Sequence, residues 1–265
     1  MTIDWTTAYD NRAAVANSAA LIARTEAAAA AYRAAVSVER VVWGADRQAV
    51  DLVRPDGQAR GLAVFIHGGY WHRNAPDVFT HLAAGALARG WAVALPGYRL
   101  CPVVGIADIT RDVASGLAAV AAVISGPMRL AGHSAGGHLA SRMVCGALSA
   151  EVLERVTGLV SISGLHDLRP ITRTPLQDVL SLTQAEAVAE SPALLEPLAD
   201  IPVTAWVGAE ELPELRRQSR LLAEIWGGFG LDTRVVEDTG LDHFTVIEAL
   251  SDPDAPITAA WIGET

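Results

Sequence analysis

Continuous apolar runs alternate with helical segments along most of the chain. The apolar runs lie at 61–66, 91–95, 128–132, 157–162, 202–207 and 233–237, and the helical segments lie at about 77–89, 106–125, 135–149, 213–226 and 243–250. Apolar strands separated by helices are typical of a mostly parallel sheet that is covered on both faces. The pattern therefore predicts a doubly wound α/β fold.

A leading hairpin is predicted before the first of these runs. Residues 38–43 and 48–53 alternate or cluster β-branched side chains, and Arg54-Pro-Asp-Gly57 supplies turn residues after the second segment. The sheet is therefore expected to have an antiparallel start.

The chain of 265 residues fits one α/β domain or two small ones, and one domain is expected. Residues 1–37 form an N-terminal segment, and its Ala-rich stretch 12–36 predicts one long helix that covers the domain or the mouth of a site. Residues 38–265 form the α/β domain. Within it, the proline-containing stretch at about 166–200 breaks the alternation and predicts a small cap insertion over the carboxyl edge of the sheet.

Charge and hydropathy narrow the expected partners and location. A net charge of -10 leaves no basic stripe for nucleic acid. The apolar runs are well short of the roughly 20 residues that a membrane span needs. The first residues show no basic start followed by an apolar stretch, so no secretory signal is expected and a cytoplasmic location is predicted. We expect a small-molecule substrate, no nucleic acid and no membrane, and a homodimer is left open.

Ser134 is the candidate nucleophile. It lies in Gly132-x-Ser134-x-Gly136, between a predicted strand and an Ala/Leu-rich helical segment. Such a turn is so tight that it strains the serine backbone, leaves no room for β-carbons two residues away and exposes the hydroxyl at a helix N-terminus. The alternative is a glycine-rich connection without a reactive role. A phosphate-binding loop is disfavoured because no GKS or GKT sequence follows.

His243 is the candidate general base. A serine hydroxyl needs an imidazole within hydrogen-bond reach, and in this fold the order along the chain should be serine, acid, histidine. His243 is the histidine that follows the last predicted strand, where a loop can return to the carboxyl edge of the sheet.

The imidazole in turn needs a carboxylate on its other nitrogen. The loop after the strand at 202–207 offers Glu210 and Glu211, and the residues alone leave both open. Asp238 and Asp242 are fallback candidates. Either glutamate could instead only stabilise the N-terminus of the next helix.

A glycine loop after the first apolar run is the candidate oxyanion hole. Backbone N–H groups of such a loop, together with the N–H after the nucleophile, stabilise the oxyanion of a tetrahedral intermediate. Gly69 and Tyr70 are the favoured loop donors. The full set of candidate donors is Gly68, Gly69, Tyr70 and Ala135.

Large side chains beside these donors are the candidate substrate pocket. Tyr70 and Trp71 are expected to wall an acyl or aryl pocket, and His133, next to the nucleophile, is a third lining candidate. Aromatic side chains most often pack in a core, which is the alternative for this pair.

No metal and no cofactor are expected. The pairs His67-x4-His72 and His133-x4-His138 lack a convincing carboxylate partner for zinc.

Several motifs together match one known family. They are His67-Gly-Gly-Tyr-Trp71, Gly132-His-Ser-Ala-Gly-Gly-His-Leu139, Ser163-Gly-Leu-His-Asp-Leu168, Val207-Gly-Ala-Glu-Glu-Leu-Pro-Glu-Leu-Arg-Arg-Gln-Ser219 and Asp242-His-Phe244. In these motifs the chain resembles the arylformamidases of the α/β-hydrolase fold, the kynurenine formamidase type, within the hormone-sensitive-lipase-like group. The resemblance spans about residues 38–262. The serine turn is shared by the whole superfamily, whereas HGGYW and the helix after the acid are much narrower signals.

The resemblance implies an activity and a set of roles. Family members hydrolyse N-formyl-L-kynurenine to kynurenine and formate with a Ser–acid–His triad and no metal. By position, the nucleophile is Ser134, the base is His243 and the acid is Glu211, where many members have Asp. Tyr70 replaces the third glycine of the common lipase loop, as in the formamidases. A small-acyl carboxylesterase is the alternative enzyme, and a non-catalytic binding protein on this scaffold is the less favoured alternative.

Overall fold

Within residues 3–264, which the computed structural model describes, a single eight-stranded sheet organises the molecule. Its order is β1-β2-β4-β3-β5-β6-β7-β8; the β1/β2 and β2/β4 pairs are antiparallel and the other pairs are parallel. The expected antiparallel start is confirmed. The strands are β1 (Glu39–Val42), β2 (Ala49–Val53), β3 (Leu62–Ile66), β4 (Ala92–Pro96), β5 (Met128–His133), β6 (Val156–Ile162), β7 (Val203–Gly208) and β8 (Thr233–Asp238).

Helices precede the sheet, connect its strands and close the chain. The α-helices are α1 (Trp5–Ala8), α2 (Asn11–Ala14), α3 (Ser18–Ala35), α4 (Ala83–Ala88), α5 (Ile106–Ala121), α6 (Ala135–Arg142), α7 (Ala150–Leu153), α8 (Gln177–Leu180), α9 (Gln184–Ala189), α10 (Pro213–Gly227) and α11 (Pro256–Ile262). Short 3-10 helices lie at Pro76–Leu82, Arg169–Arg173, Pro192–Leu194 and Glu248–Ser251, and a π-helical turn lies at Met143–Ala147. Among the described residues, no helix combines the length and the hydropathy needed to cross a bilayer.

The alternation of side chains along β3 shows how the sheet builds two cores. Leu62 and Ile66 point to the face covered by α5, α6 and α10, whereas Ala63 and Phe65 point to the face covered by α4 and α11. Successive side chains of a strand point to opposite faces, so a strand that is apolar throughout must be covered on both sides. The three-layer arrangement follows from this pattern.

The N-terminal helix differs from the prediction. In place of one helix over 12–36, the chain forms α2 and then α3, with Val15 extended between them at φ -113° and ψ 107°. The Asp10 carboxylate caps the start of α2 by accepting from the Ala13 N–H, and the extended backbone of Val15 ends α2 before α3 begins. The division of the chain at residue 37 stays a prediction.

The segment after β8 also differs from the prediction, which placed a helix over 243–250. The carboxylate of Asp242 accepts from the N–H groups of Phe244 and Thr245 and folds the chain into a tight turn. An aspartate side chain that binds its own downstream backbone competes with helix formation. The only regular element in this stretch of the described chain is the 3-10 helix Glu248–Ser251.

The parallel strands bring several loops to one edge of the sheet. Ile66 of β3 pairs with Gly132 of β5, and Ile162 at the end of β6 pairs with Trp206 near the end of β7. The loops that leave β3, β5, β6 and β7 therefore meet at the same carboxyl edge, where ligands of open α/β sheets bind.

Candidate active site

Ser134 occupies a sharp turn between β5 and α6. Its backbone has φ 56° and ψ -120°, a conformation that costs energy for a non-glycine residue. A β-carbon on Gly132 would overlap the carbonyl of Gly136, and a β-carbon on Gly136 would overlap the carbonyl oxygen of Ile66. Glycine is required at both positions, so the sequence pattern has the steric origin predicted for it.

His243 and Glu211 form a buried pair beside Ser134. The carboxylate oxygen Oε2 of Glu211 lies 2.6 Å from the imidazole nitrogen Nδ1 of His243. The Glu211 side chain is 0% exposed. Ser134 and His243 border the same cavity. Within residues 3–264 the Ser134 hydroxyl has no hydrogen-bond partner. The hydrogen bond between a catalytic serine and its histidine commonly forms or tightens only when substrate binds.

The other acid candidates lie elsewhere. Glu210 is exposed. Asp238 accepts from the indole N–H of Trp206 at 3.1 Å, and Asp242 shapes the turn that carries His243 through its backbone contacts. Of the four carboxylates that the residues left open, the geometry brings Glu211 to the imidazole.

Ser163 holds the other oxygen of Glu211. Its hydroxyl donates to Glu211 Oε1 at 2.5 Å, and the Gly208 N–H donates to the same oxygen at 2.9 Å. The sequence patterns did not identify Ser163 as a partner of the acid. A signal was available, because Ser163 directly follows β6, and β6 lies beside β7, the strand that precedes the acid. Both carboxylate oxygens are thereby bound, which fixes the direction from which Glu211 meets the imidazole.

The glycine loop lies against the serine turn. A β-carbon on Gly68 would come within 2.7 Å of the His133 carbonyl oxygen, and Gly69 has φ 122°. Tyr70 also has a positive φ, 48°. The N–H groups of Gly68, Gly69, Tyr70 and Ala135 donate to no acceptor within residues 3–264. These amides are therefore free to bind an oxyanion.

Two buried aromatic groups support this loop from behind. The Tyr98 hydroxyl donates to the His67 carbonyl oxygen at 2.8 Å, and the two rings stack with centroids 4.3 Å apart. Burial lowers the pKa of His67 to about 4, so its ring is neutral at physiological pH. A neutral stacked pair gives the loop a rigid apolar base.

The predicted aromatic walls separate into two roles. Tyr70 borders the cavity. Trp71 does not, because it is 0% exposed and its indole N–H donates to Nδ1 of His138 at 3.1 Å behind the serine helix. The prediction of Trp71 as a pocket residue was wrong. Tyr70 and Trp71 both have a positive φ, 48° and 59°, and the contact with His138 is what distinguishes Trp71.

His133 lies between the serine turn and the base. Its ring centroid is 4.5 Å from that of His243, and it borders the cavity. Burial, and then the nearby His243 ring, hold the pKa of His133 well below its usual range. The His133 imidazole is therefore neutral and lines the cavity beside His243.

The cavity has a volume of about 390 Å³, and part of its wall comes from the N-terminal segment and from the stretch predicted as a cap. Tyr9 and Asn11 of the N-terminal segment border it, and so do Thr174 and Val179 of the stretch predicted as a cap. A signal was present in the sequence, since Trp5 and Tyr9 are two large aromatics spaced four residues apart near the start of the chain. The volume suits a small organic molecule.

Comparison with known proteins agrees with this geometry. The family model of the α/β hydrolase fold matches residues 63–246. Kynurenine formamidase of Salmo salar is 30% identical over 208 residues, which cover 74% of this chain and 70% of the relative. Kynurenine formamidase of Danio rerio is 29% identical over 226 residues, which cover 81% and 76%. A crystal structure of a candidate thioesterase from Silicibacter sp. tm1040 superposes with a TM-score of 0.94 at 39% identity, covering 98% of this chain and 100% of that one.

The family match over residues 63–246 includes Ser134, Glu211 and His243. The fold expected from the sequence is confirmed, and so is the family resemblance. The chain is a hydrolase that belongs to the α/β-hydrolase fold family, in the branch that contains the kynurenine formamidases.

Proposed function

We propose that this hydrolase is a serine arylformamidase, which cleaves an N-formyl aryl amide such as N-formylkynurenine to the aryl amine and formate through a formyl-enzyme. The observation that carries the proposal is the buried contact between Glu211 and His243 at the cavity that Ser134 borders. The similarity to two kynurenine formamidases supports the choice of a formamide.

The first half of the reaction transfers the formyl group to the enzyme. Because Nδ1 of His243 is held by Glu211, Nε2 is the nitrogen that takes the Ser134 proton. Ser134 Oγ attacks the formyl carbon, and the Gly69, Tyr70 and Ala135 N–H groups bind the resulting oxyanion. His243 then gives its proton to the amide nitrogen, the C–N bond breaks and the neutral aryl amine leaves.

The second half returns the enzyme to its starting state. Water gives one proton to His243 and attacks the formyl carbon, and the second tetrahedral intermediate collapses with return of that proton to Ser134. The released formic acid gives its remaining acidic proton to solvent, so the product is formate. Glu211 stays ionised in both halves and stabilises the imidazolium each time it forms.

The test is a comparison of kcat/KM on N-formylkynurenine and on p-nitrophenyl acetate. A preference for the formamide supports the proposal. A preference for the ester by several orders of magnitude would retire the formamidase and leave a small-acyl carboxylesterase with the same mechanism. Labelling by a fluorophosphonate that is lost in Ser134→Ala tests the nucleophile, and a folded wild-type protein that is never labelled would contradict catalysis by Ser134.

Thioester cleavage is a second candidate function, because the Silicibacter protein aligns with nearly the whole chain and is described as a candidate thioesterase. The same nucleophile and oxyanion donors would serve a thioester carbonyl. A short acyl thioester added to the substrate panel separates the two, since a thioester preference over the formamide assigns the chain to this function.

A further inference from the structure

Asn11 is a buried polar residue in the wall of the cavity. It is 5% exposed and borders the same cavity as Ser134 and His243. It lies in the N-terminal segment, far in sequence from the residues of the proposed reaction. Its side chain is therefore brought to the substrate space by tertiary packing alone.

The hydrogen bonds of Tyr70 fix which way the Asn11 amide points. The Tyr70 hydroxyl donates its only proton to the carbonyl oxygen of Tyr9 at 2.7 Å. It must therefore accept from Asn11, and the atom 3.2 Å away is the amide nitrogen Nδ2. The amide oxygen Oδ1 is left buried and, within residues 3–264, without a partner.

Asn11 is held firmly in this place. The Tyr9 hydroxyl donates to Glu214 Oε1 at 2.7 Å, and the Gln218 amide donates to the same hydroxyl at 3.2 Å. Both partners lie on α10, the helix that follows Glu211. Asp10 caps the next short helix. Asn11 Oδ1 therefore belongs to a segment that is fixed by hydrogen bonds to the rest of the domain.

A buried acceptor without a partner is costly, and a ligand that supplies a donor removes that cost. Asn11 contacts the hydroxyl end of Tyr70, a full tyrosine side chain away from the Tyr70 N–H that we assign to the oxyanion. A formyl group has no further atoms to reach that far. Any substrate donor that meets Asn11 therefore belongs to the leaving group.

Charges at the cavity rim indicate what kind of leaving group this is. The cavity is bordered by two carboxylates, Asp10 and Glu26, and by two guanidinium groups, Arg12 and Arg73. A rim of both signs suits a zwitterion. An amino acid end supplies an ammonium, which is a strong donor for a neutral amide oxygen.

We infer that Asn11 is a specificity residue: its Oδ1 accepts a hydrogen bond from the ammonium group of a leaving group that carries an amino acid. The inference rests on the proposed function, because it assumes that the formyl carbon lies at Ser134. Beyond the proposed function, the inference names the ammonium group as the part of the substrate that is recognised and Asn11 as the residue that recognises it.

Calorimetric binding of the amine product tests this inference without any turnover. The probes are L-kynurenine and its desamino analogue, in which hydrogen replaces the ammonium. Wild-type protein is expected to bind L-kynurenine about 10- to 100-fold more tightly, the range for a hydrogen bond to a charged group. Asn11→Leu is expected to reduce this preference to about twofold or less.

Two further variants separate reading of the ammonium from a structural role. Asn11→Asp keeps an acceptor and is expected to retain the preference. The exposed Asn17, whose side chain makes no cap hydrogen bond, is the matched control, and Asn17→Ala is expected to bind both probes as wild type does.

Equal binding of the two probes by wild type, failure of both to bind, or an unchanged preference in Asn11→Leu would overturn the inference. Failure of the proposed function looks different, because it is lack of formamide hydrolysis by wild type, measured separately. If wild type prefers L-kynurenine over the desamino analogue but does not hydrolyse the formamide, the proposed reaction is wrong and the contact between Asn11 and the ammonium stands. If wild type hydrolyses the formamide but binds both probes equally, the proposed reaction stands and the role of Asn11 is wrong.

Discussion

Glu211 meets His243 with one carboxylate oxygen at 2.6 Å while its other oxygen is bound by Ser163 and the Gly208 N–H. All three contacts are buried. A carboxylate held on both oxygens can orient the imidazole without moving during the reaction, and this preorganisation underlies the first two predictions.

The first prediction concerns the choice between two adjacent glutamates. Glu211→Gln keeps the shape but cannot stabilise the imidazolium, so we expect kcat to fall by about 10²- to 10⁴-fold. Glu210→Gln is the matched control, since Glu210 is exposed, and should stay within about twofold of wild type. Steady-state kinetics on the preferred substrate checks both. A larger loss in Glu210→Gln than in Glu211→Gln would contradict the assignment.

The second prediction concerns Ser163 as a positioning residue. Ser163→Ala removes one of the two donors to Glu211 Oε1, so we expect kcat to fall about tenfold with KM nearly unchanged. Ser163 has φ 52°, and the exposed Ser181 has φ 47°. Ser181→Ala therefore controls for the effect of alanine at a positive φ. If KM rises while kcat stays at the wild-type value, Ser163 does not act through Glu211.

The third prediction concerns the steric need for glycine after the nucleophile. In Gly136→Ala the new methyl group would overlap the Ile66 carbonyl and displace the serine turn. We expect a lower Tm and a loss of at least about 100-fold in kcat/KM. Gly105 has φ -84° and its nearest neighbour to an added β-carbon is 3.9 Å away, so Gly105→Ala should retain activity. Wild-type kinetics in Gly136→Ala would refute the steric argument.

The fourth prediction concerns stability in mild acid. Burial lowers the pKa of His67 and His138 to about 4 and that of His166 to about 3. Between pH 6.5 and about 4 the unfolded chain binds protons at these positions and the native state does not, so the free energy of unfolding falls as the pH falls. Each histidine contributes up to about 1.4 kcal/mol per pH unit.

Urea unfolding at several pH values from about 7.5 to 4.5 measures this slope. The lower limit keeps most carboxylates ionised, so that the histidines dominate the change. A free energy of unfolding that is constant over this range would show that the buried rings are protonated in the native state.

Much of the fold and part of the candidate site could be predicted because they depend on local patterns. A strand that is apolar on both faces must be covered on both sides, so the largely apolar runs at β3 to β7, separated by helical segments, indicated the doubly wound sheet without any structure. Gly132, Ser134 and Gly136 encode a turn whose steric need is contained in five residues. His243 followed from its place after the last strand.

What the chain alone left open depended on the direction of side chains and on distant contacts. Glu210 and Glu211 have the same side chain and are adjacent in sequence. Only the packing of the loop after β7 directs Glu211 to the imidazole and Glu210 to solvent. Trp71 is adjacent to Tyr70, yet it packs in the core, where its indole N–H donates to His138.

The amino-acid sequence by itself determined the sheet, the serine turn and the order of the candidate triad, since each is fixed by periodicity, steric fit or position along the chain. The sequence left open whether the N-terminal segment covers the domain or the mouth of a site, and the tertiary structure alone decided that it borders the cavity and that Asn11 lies in the wall. Tyr9 and Glu214 are separated by 205 positions, and a contact over that distance is formed only when the whole chain folds.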